Sequence, residues 1–448
     1  MNKDIIALKA SARQLLEENI LHFWLTKMQD YENGGFYGRI DGHDVLHKDA
    51  DKGCVLNARI LWSFASAYRV LSLSPTPFSK AKGVCSPDAL LTAAIRAKDY
   101  ILEHFIDKKR GGVYWSVDYK GQPKDTKKQS YAIGFTIYGM SELYRATGDE
   151  EALQCAIDLF CSLEEHAFDA KDMGYIEALT YDWRPIQDMR LSERDENGSR
   201  TMNTHLHILE PYTNLYRSLT HSYSSPLPRS FAHPVPKKEW GMGGVDGSLD
   251  DVRNRVDQKL RVLIDIFTKK LLNPSTHHLD LFFDNQWQGR RNIESYGHDI
   301  EAAWLLTEAL EVLGDEQLMA ATMPVIGQIA KASEEGLQAD GSMIHECHKS
   351  MGDGLPSSVD ADRHWWVQCE CVIGELNQYQ HFGDEEALKK ALHCYDYIER
   401  HFIDHEQGEW YWSRRPDGSI NRDEDKAGFW KCPYHNSRMC LEILEREF

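Results

Sequence analysis

Three histidine-bearing segments combine residue types and spacings suited to moving a proton. In Ser295-Tyr296-Gly297-His298-Asp299-Ile300-Glu301, Ser295 precedes the apolar run Ala302-Ala303-Trp304-Leu305-Leu306, as a helix cap would. His298 then lies in the first turn, and Glu301 shares its face three residues on. A carboxylate there can fix the imidazole tautomer, while the positive helix end disfavours a second ring proton. A neutral imidazole so held is poised as a base near neutral pH. In Trp430-Lys431-Cys432-Pro433-Tyr434-His435-Asn436-Ser437-Arg438, Pro433 suits the first helical position and again puts His435 in a first turn. Met439 and Ile443 follow on roughly the same face, which turns His435 inward.

The third segment is Met202-Asn203-Thr204-His205-Leu206-His207-Ile208-Leu209-Glu210. On a helix His205 and His207 point to nearly opposite sides, so only one faces a central pocket. Asn203 is four residues from His207 and shares its face, which selects His207. An HxH metal site would need strand geometry and a further ligand, so no metal is expected. Arg59 lies on the apolar face shared by Val55 and Trp62. Burying a guanidinium unpaired is costly, so it needs an oxygen, from a ligand or from a structural carboxylate. Trp365-Trp366 and the other tryptophans, twelve in all, suit packing on sugar C–H faces as well as core packing.

The elements that must position these groups form a repeat. A Gly-aromatic segment ending in an acidic turn occurs at Gly34-Gly35-Phe36-Tyr37, at Gly111-Gly112-Val113-Tyr114-Trp115 and at Gly408-Glu409-Trp410-Tyr411-Trp412. Weaker copies start near Gly174 and Leu279, and another runs from Gly336 to Met343. Each reads as a short hairpin. Between them the apolar period is helical. Gly148-Asp149-Glu150-Glu151-Ala152-Leu153 recurs letter for letter at Gly383 to Leu388, with a third copy at Gly314 to Leu318. There Gly ends one helix and Asp caps the next. About six units of loop, helix, tight turn and helix account for the chain, which predicts an all-α (α/α)6 barrel of about twelve helices with the hairpins at one rim. One domain spanning 1–448 is expected, with surface insertions at 74–87 and 221–248, the second rich in proline. Pro211 should kink the helix carrying His207 or delay its start.

Composition is that of an ordinary globular protein, with 42% hydrophobic and 27% charged residues. A net charge of −19 repels phosphate backbones and anionic membranes, so neither nucleic acid nor membrane is an expected partner. The ten cysteines form no CxxC pair and read as small buried hydrophobes of a reducing compartment. Glu17 and Glu18 break any signal-peptide pattern. These features point to a cytoplasmic protein.

Asn57-Ala58-Arg59-Ile60-Leu61-Trp62, Met202 through His207, Tyr296 through Glu301 and Trp430 through Arg438 resemble the hallmark segments of the cellobiose 2-epimerases. These belong to the wider N-acylglucosamine 2-epimerase superfamily. The resemblance spans nearly the whole chain from Gly34 and implies an (α/α)6 fold. It also implies cofactor-free epimerisation at C2 of the reducing-end sugar of a β-1,4-linked disaccharide, through ring opening and an enediolate. It makes His298 and His435 the acid/base pair, with Glu301 orienting His298. Arg59 and His207 would hydrogen-bond the carbonyl oxygen. Tyr131 and Asn203 would contact the reacting sugar, Asp195 would bind hydroxyls, and Trp366 and Trp430, beside Trp365, would stack on rings.

Rival readings remain open. The same histidines serve a mannose 2-epimerase or an aldose–ketose isomerase acting on free monosaccharide. A glycoside hydrolase on the same toroid would need two opposed carboxylates, for which Glu193, Asp195, Asp360 and Asp362 are available. A helical-repeat scaffold would not turn histidines inward. A monomer is expected over an oligomer.

Overall fold

The computed structural model describes residues 3–74, 76–79, 83–220, 248–289, 292–350 and 357–448. The insertion expected at 221–248 lies outside the described residues except for Ser248. That residue caps the next helix through a reciprocal capping box with Asp251. The described part of 74–87 packs on the N-terminal helix, where Arg13 donates to Ser74 and Ser79 N–H to Glu17.

The described residues form twelve helices. The odd-numbered ones are α1 (Lys3–Leu15, continued through the π-turn Leu16–Ile20 into Leu21–Lys27), α3 (Pro87–Tyr100), α5 (Glu150–His166), α7 (Leu249–Ile266), α9 (Glu316–Ser333) and α11 (Glu385–His401). The even-numbered ones are α2 (Cys54–Leu73), α4 (Ser130–Thr147), α6 (Met202–Thr220), α8 (Tyr296–Leu313), α10 (Trp365–Phe382) and α12 (Tyr434–Glu445). Each even helix packs on the next, and α12 packs back on α2, so these six close an inner ring. The odd helices form the outer layer, α1 on α12 and each of the others on an inner neighbour. This is the (α/α)6 barrel. The burial patterns follow from it. The first three turns of α8 are buried on nearly every face, whereas α11 buries a stripe of Ala387, Leu388, Ala391, Cys394 and Ile398.

The repeated local signals do what their chemistry demands. Gly148, Gly314 and Gly383 end inner helices with φ between 65° and 75°, the left-handed region that glycine enters without strain. Asp149, Asp315 and Asp384 then accept two backbone N–H bonds each at the start of α5, α9 and α11. At the opposite rim every outer helix runs into a hairpin. The pairs are Gln29 with Phe36, Ile106 with Val113, Phe168 with Tyr175, Leu272 with Leu279, Leu337 with Met343 and Ile403 with Trp410.

A second set of pairings fixes the inner helices at that rim. The strands just before α2, α4, α6, α8 and α10 each pair with the loop of the following unit. The bridge Ile40 to Ala427 joins the last loop to the first. The N-termini of the inner helices are therefore held at one end of the barrel.

Pro211 does kink α6, and the kink falls at His207 (φ −87°, ψ 18°). Proline has no N–H to give the carbonyl four residues back, which is that of His207. Gly134 of α4 fits against this carbonyl, because a Cβ there would meet the His207 oxygen at 2.3 Å.

One carboxyl is buried with no use in the barrel axis. Glu375 on α10 is 1% exposed, neither oxygen has a hydrogen-bond partner, and burial pushes it up to about 8. Between 4.5 and 8 the folded state keeps a proton that the unfolded chain has released, so stability falls as pH rises. Glu375→Gln should flatten this slope by up to about 1.4 kcal/mol per pH unit. Urea midpoints measured between about pH 5 and pH 8 check it. An unchanged slope would mean that Glu375 is ionised in the fold.

Candidate active site

A cavity of about 910 Å³ opens at the rim where the inner helices begin. Every inner helix sends a side chain into it: Arg59 from α2, Tyr131 from α4, Asn203 and His207 from α6, His298 from α8, Trp366 from α10 and His435 from α12. Trp430 and Asp195 reach it from loops. Trp365 borders it but is only 3% exposed and packs on Trp412, so it is mainly a core residue. The site residues singled out from sequence thus come together in one pocket.

His298 and His435 flank the Trp366 indole, with centroid separations of 4.7 and 5.8 Å. Burial, the largest cause, pulls both rings well below the usual histidine range, and the neighbouring cations and histidines act in the same direction. Both are therefore neutral at neutral pH. Their Nδ1 atoms have different partners. His435 meets Glu370 Oε1 at 2.8 Å, and His298 meets Ser295 Oγ at 2.8 Å.

The latter pairing corrects two expectations. Ser295 stands at the cap position of α8, but its hydroxyl goes to His298 and not to the helix backbone. Glu301 lies a turn deeper, where it pairs with Arg438. Pro433 also sits one residue before α12, not inside it.

Arg438, buried on the barrel axis, ties the site together. Its Nη1 donates to Glu210, and its Nη2 donates to Glu301 and, at 2.8 Å, to Glu370. Trp304 Nε1 also donates to Glu370, and Tyr434 to Glu210. With three buried carboxyls around one guanidinium, burial pushes Glu301 up to about 8, with Glu370 nearby adding to it. Burial also pushes at Glu210, but Arg438 and the bond from His207 outweigh it and hold that group at about 2.

His207 Nδ1 faces Glu210 Oε2 at 3.0 Å. An ionised carboxylate only accepts, so Nδ1 carries the proton and the pocket-side Nε2 has a free lone pair. Burial holds the ring at about 4, so it is neutral. In this state His207 therefore accepts at Nε2, and it can donate to a carbonyl oxygen once that nitrogen has taken a proton. His205 is structural: Nδ1 donates to Thr201 O at 2.7 Å and Nε2 accepts from Tyr175 N–H at 3.0 Å.

Among the described residues no carboxylate bonds Arg59. It donates to Tyr131 Oη at 2.8 Å and to Trp430 O, stacks on Phe135, and keeps a buried Nε without a partner. Asn203 likewise has a buried Oδ1 with no partner. Asp195 accepts from Ser192 N–H and Oγ, which shapes its loop at the pocket edge.

Sequence reasoning missed Glu177, Glu210, Glu370 and Arg438. Glu177 lines the pocket, accepts from Thr204 Oγ1 at 2.6 Å and Thr201 Oγ1 at 2.9 Å, and is pushed up to about 8 by burial. Its backbone also bonds Ser130 and Ser199, so it pins the starts of both α4 and α6.

The family model of N-acylglucosamine 2-epimerase matches residues 34–210 and 251–438. A cellobiose 2-epimerase of Bacteroides fragilis is 49% identical over 437 residues, covering 98% of both chains. One from Ruminococcus albus is 37% identical over 97% of both. The solved structure of cellobiose 2-epimerase from Bacillus thermoamylovorans superposes with a TM-score of 0.82 at 36% identity, covering 99% of this chain and 100% of that one. This chain belongs to the N-acylglucosamine 2-epimerase family, on the branch of the cellobiose 2-epimerases.

Proposed function

We propose that the chain epimerises the reducing-end glucose of β-1,4-linked disaccharides at C2, turning cellobiose into 4-O-β-D-glucosyl-D-mannose. The observation that carries this reading is the pair of neutral imidazoles, His298 and His435, facing one pocket on either side of Trp366. Epimerisation needs a base on one side of C2 and an acid on the other, with donors for the enediolate oxygen between them.

Ring opening comes first. The free Nε2 of His207 takes the proton of the anomeric hydroxyl as the C1–O5 bond breaks. The leaving ring oxygen gains a proton from solvent that ring closure later returns, and Glu210 behind His207 supports the imidazolium so formed. That imidazolium and Arg59 then donate to the oxygen at C1 as charge grows on it. One of the two flanking imidazoles removes the C2 proton. Rotation about C2–C3 turns the other face of the planar intermediate to the second imidazole, which passes it a proton drawn from solvent. The first ring gives its own up to solvent, so both end neutral. His435, with the Glu370 carboxylate on its Nδ1, is the ring better able to hold an extra proton; His298 has only a hydroxyl behind it. Glu301 supports His435 indirectly through Arg438. Trp366 and Trp430 stack on sugar rings, while Tyr131, Asn203 and Asp195 bond hydroxyls.

Every group in this scheme comes from one chain, so a monomer suffices. No cofactor takes part. The ten cysteines are all free, which suits the reducing cytoplasm where we place the reaction. Among the described residues no helix is long and apolar enough to cross a membrane.

The test is NMR of cellobiose with the purified protein in D2O. Growth of 4-O-β-glucosyl-mannose with deuterium at C2 is expected. A ketose product would make the protein an isomerase through the same intermediate. Free glucose would overturn the two-histidine reading in favour of a carboxylate hydrolase.

A further inference from the structure

Outside the sugar pocket, the loop before α8 holds an imidazole with an unused lone pair or proton. His278 follows the outer-layer π-turn Phe267–Leu271, is 2% exposed, and has no hydrogen-bond partner on Nε2. Its Nδ1 meets Asp299 Oδ2 at 2.6 Å. Nε2 points toward two more carboxylates, Glu294 Oε2 at 3.9 Å and Glu335 Oε2 at 3.7 Å. None of these residues lines the sugar pocket.

We propose that His278, Glu294 and Glu335 bind a divalent transition-metal ion of the zinc type. An imidazole whose far nitrogen is held by a carboxylate is the usual outer-shell arrangement of a metal-bound histidine. The three ligand atoms already lie within 4.8 Å of one another. A tetrahedral zinc shell spaces its ligands about 3.4 Å apart, so the set must contract modestly. Glu335 is 60% exposed at its side chain and can make that move. Charge also favours a dication. Asp299, Glu294 and Glu335 face the ring, and among the described residues the cation paired with them is Lys349, 2.8 Å from Glu294 on a stem that is 38% exposed. Lys349 is therefore the ion's competitor. Mixed imidazole and carboxylate ligands select zinc, cobalt or manganese over calcium and magnesium.

Among the described residues two other clusters with ligating groups suit an ion less well. His345 and His364 stack with rings 4.0 Å apart and 2° from parallel, so their lone pairs do not converge. Arg438 already bonds two of the three groups in the Glu301, Glu370 and His435 cluster. The ion at His278 would clamp Ile293–Ser295, the strand whose last residue holds His298, to the hairpin of the outer layer. It takes no part in the chemistry.

The test uses full-length protein stripped with chelator and titrated with Zn2+ alone and with Co2+ alone. Bound metal is read by elemental analysis, Co2+ geometry by visible absorption, and stability by Tm. One equivalent, a tetrahedral Co2+ spectrum and a raised Tm are expected. Glu335→Gln, at an exposed position, should weaken binding by at least the ~10-fold that even an outer-shell loss costs. Lys349→Met should tighten it. Absence of stoichiometric binding at millimolar metal would leave His278 a protonated bridge among carboxylates and overturn the site. Binding of equal strength in all three proteins would place the ion elsewhere and overturn it equally.

Discussion

His298→Ala and His435→Ala each lower kcat for epimerisation of cellobiose by about 10²–10⁴-fold, the range carried by one well-placed proton-transfer group. KM changes little, because Trp366, Trp430 and the loop around Asp195 still hold the sugar. The sharper outcome is isotopic. With one imidazole gone, the other can still remove and return a proton on its own face of C2. Each variant should therefore wash deuterium into one epimer without converting it, and the two variants should label opposite epimers. The labelled epimer then tells which imidazole serves which face. A variant that still interconverts both epimers at a substantial rate would overturn the two-base scheme.

The acid limb follows from the same rings. Burial holds His298 and His435 well below the usual histidine range, so the free enzyme keeps its base uncharged at mildly acidic pH. A pH profile of kcat/KM for cellobiose should therefore stay level through the pH at which an exposed histidine would already be charged.

The parts of this site legible in the sequence were those encoded within one turn of a helix start. Asp149, Asp315 and Asp384 act locally, and so do the hairpin residues that pin the inner helices, so their roles can be read from a few neighbours. His298 and His435 are legible for the same reason. Their partners are another matter, since they come from different units of the barrel. Glu370 reaches His435 from α10, and Arg438 gathers carboxyls from α6, α8 and α10. Spacing alone misled at Glu301. A carboxylate three residues on from a helical histidine does bond it at His207–Glu210, but at His298 the nearer Ser295 takes that place. One further residue is marked by the sequence itself. Glu370 stands in the apolar run Val367 to Ile373, the same anomaly that singled out Arg59, and a buried charge always implies a partner.

Arg438→Met should cost about 3–5 kcal/mol of stability near neutral pH, the usual loss when one member of a buried ion network is removed. Methionine keeps most of the volume against the Trp304 and Tyr434 rings, so the loss is chiefly of charge. Glu210, Glu301 and Glu370 would then lie buried without the guanidinium that all three bond. The pH dependence separates this cause from packing. In the parent protein Glu210, at about 2 in the fold against 4.5 in an unfolded chain, contributes stability that is present above 4.5 and lost as acid approaches 2. In the variant Glu210 loses its guanidinium and joins Glu301 above 4.5, keeping a proton that the unfolded chain releases, so its contribution instead falls as pH rises. The gap between the two proteins should therefore narrow steadily as pH is lowered toward about 5, as read by urea denaturation at each pH. A gap that stays constant across that range would mean that Arg438 matters by filling space. A gap that narrows would show that one guanidinium holds three carboxyls in place behind His207 and His435, and that the geometry of proton transfer depends on that charge.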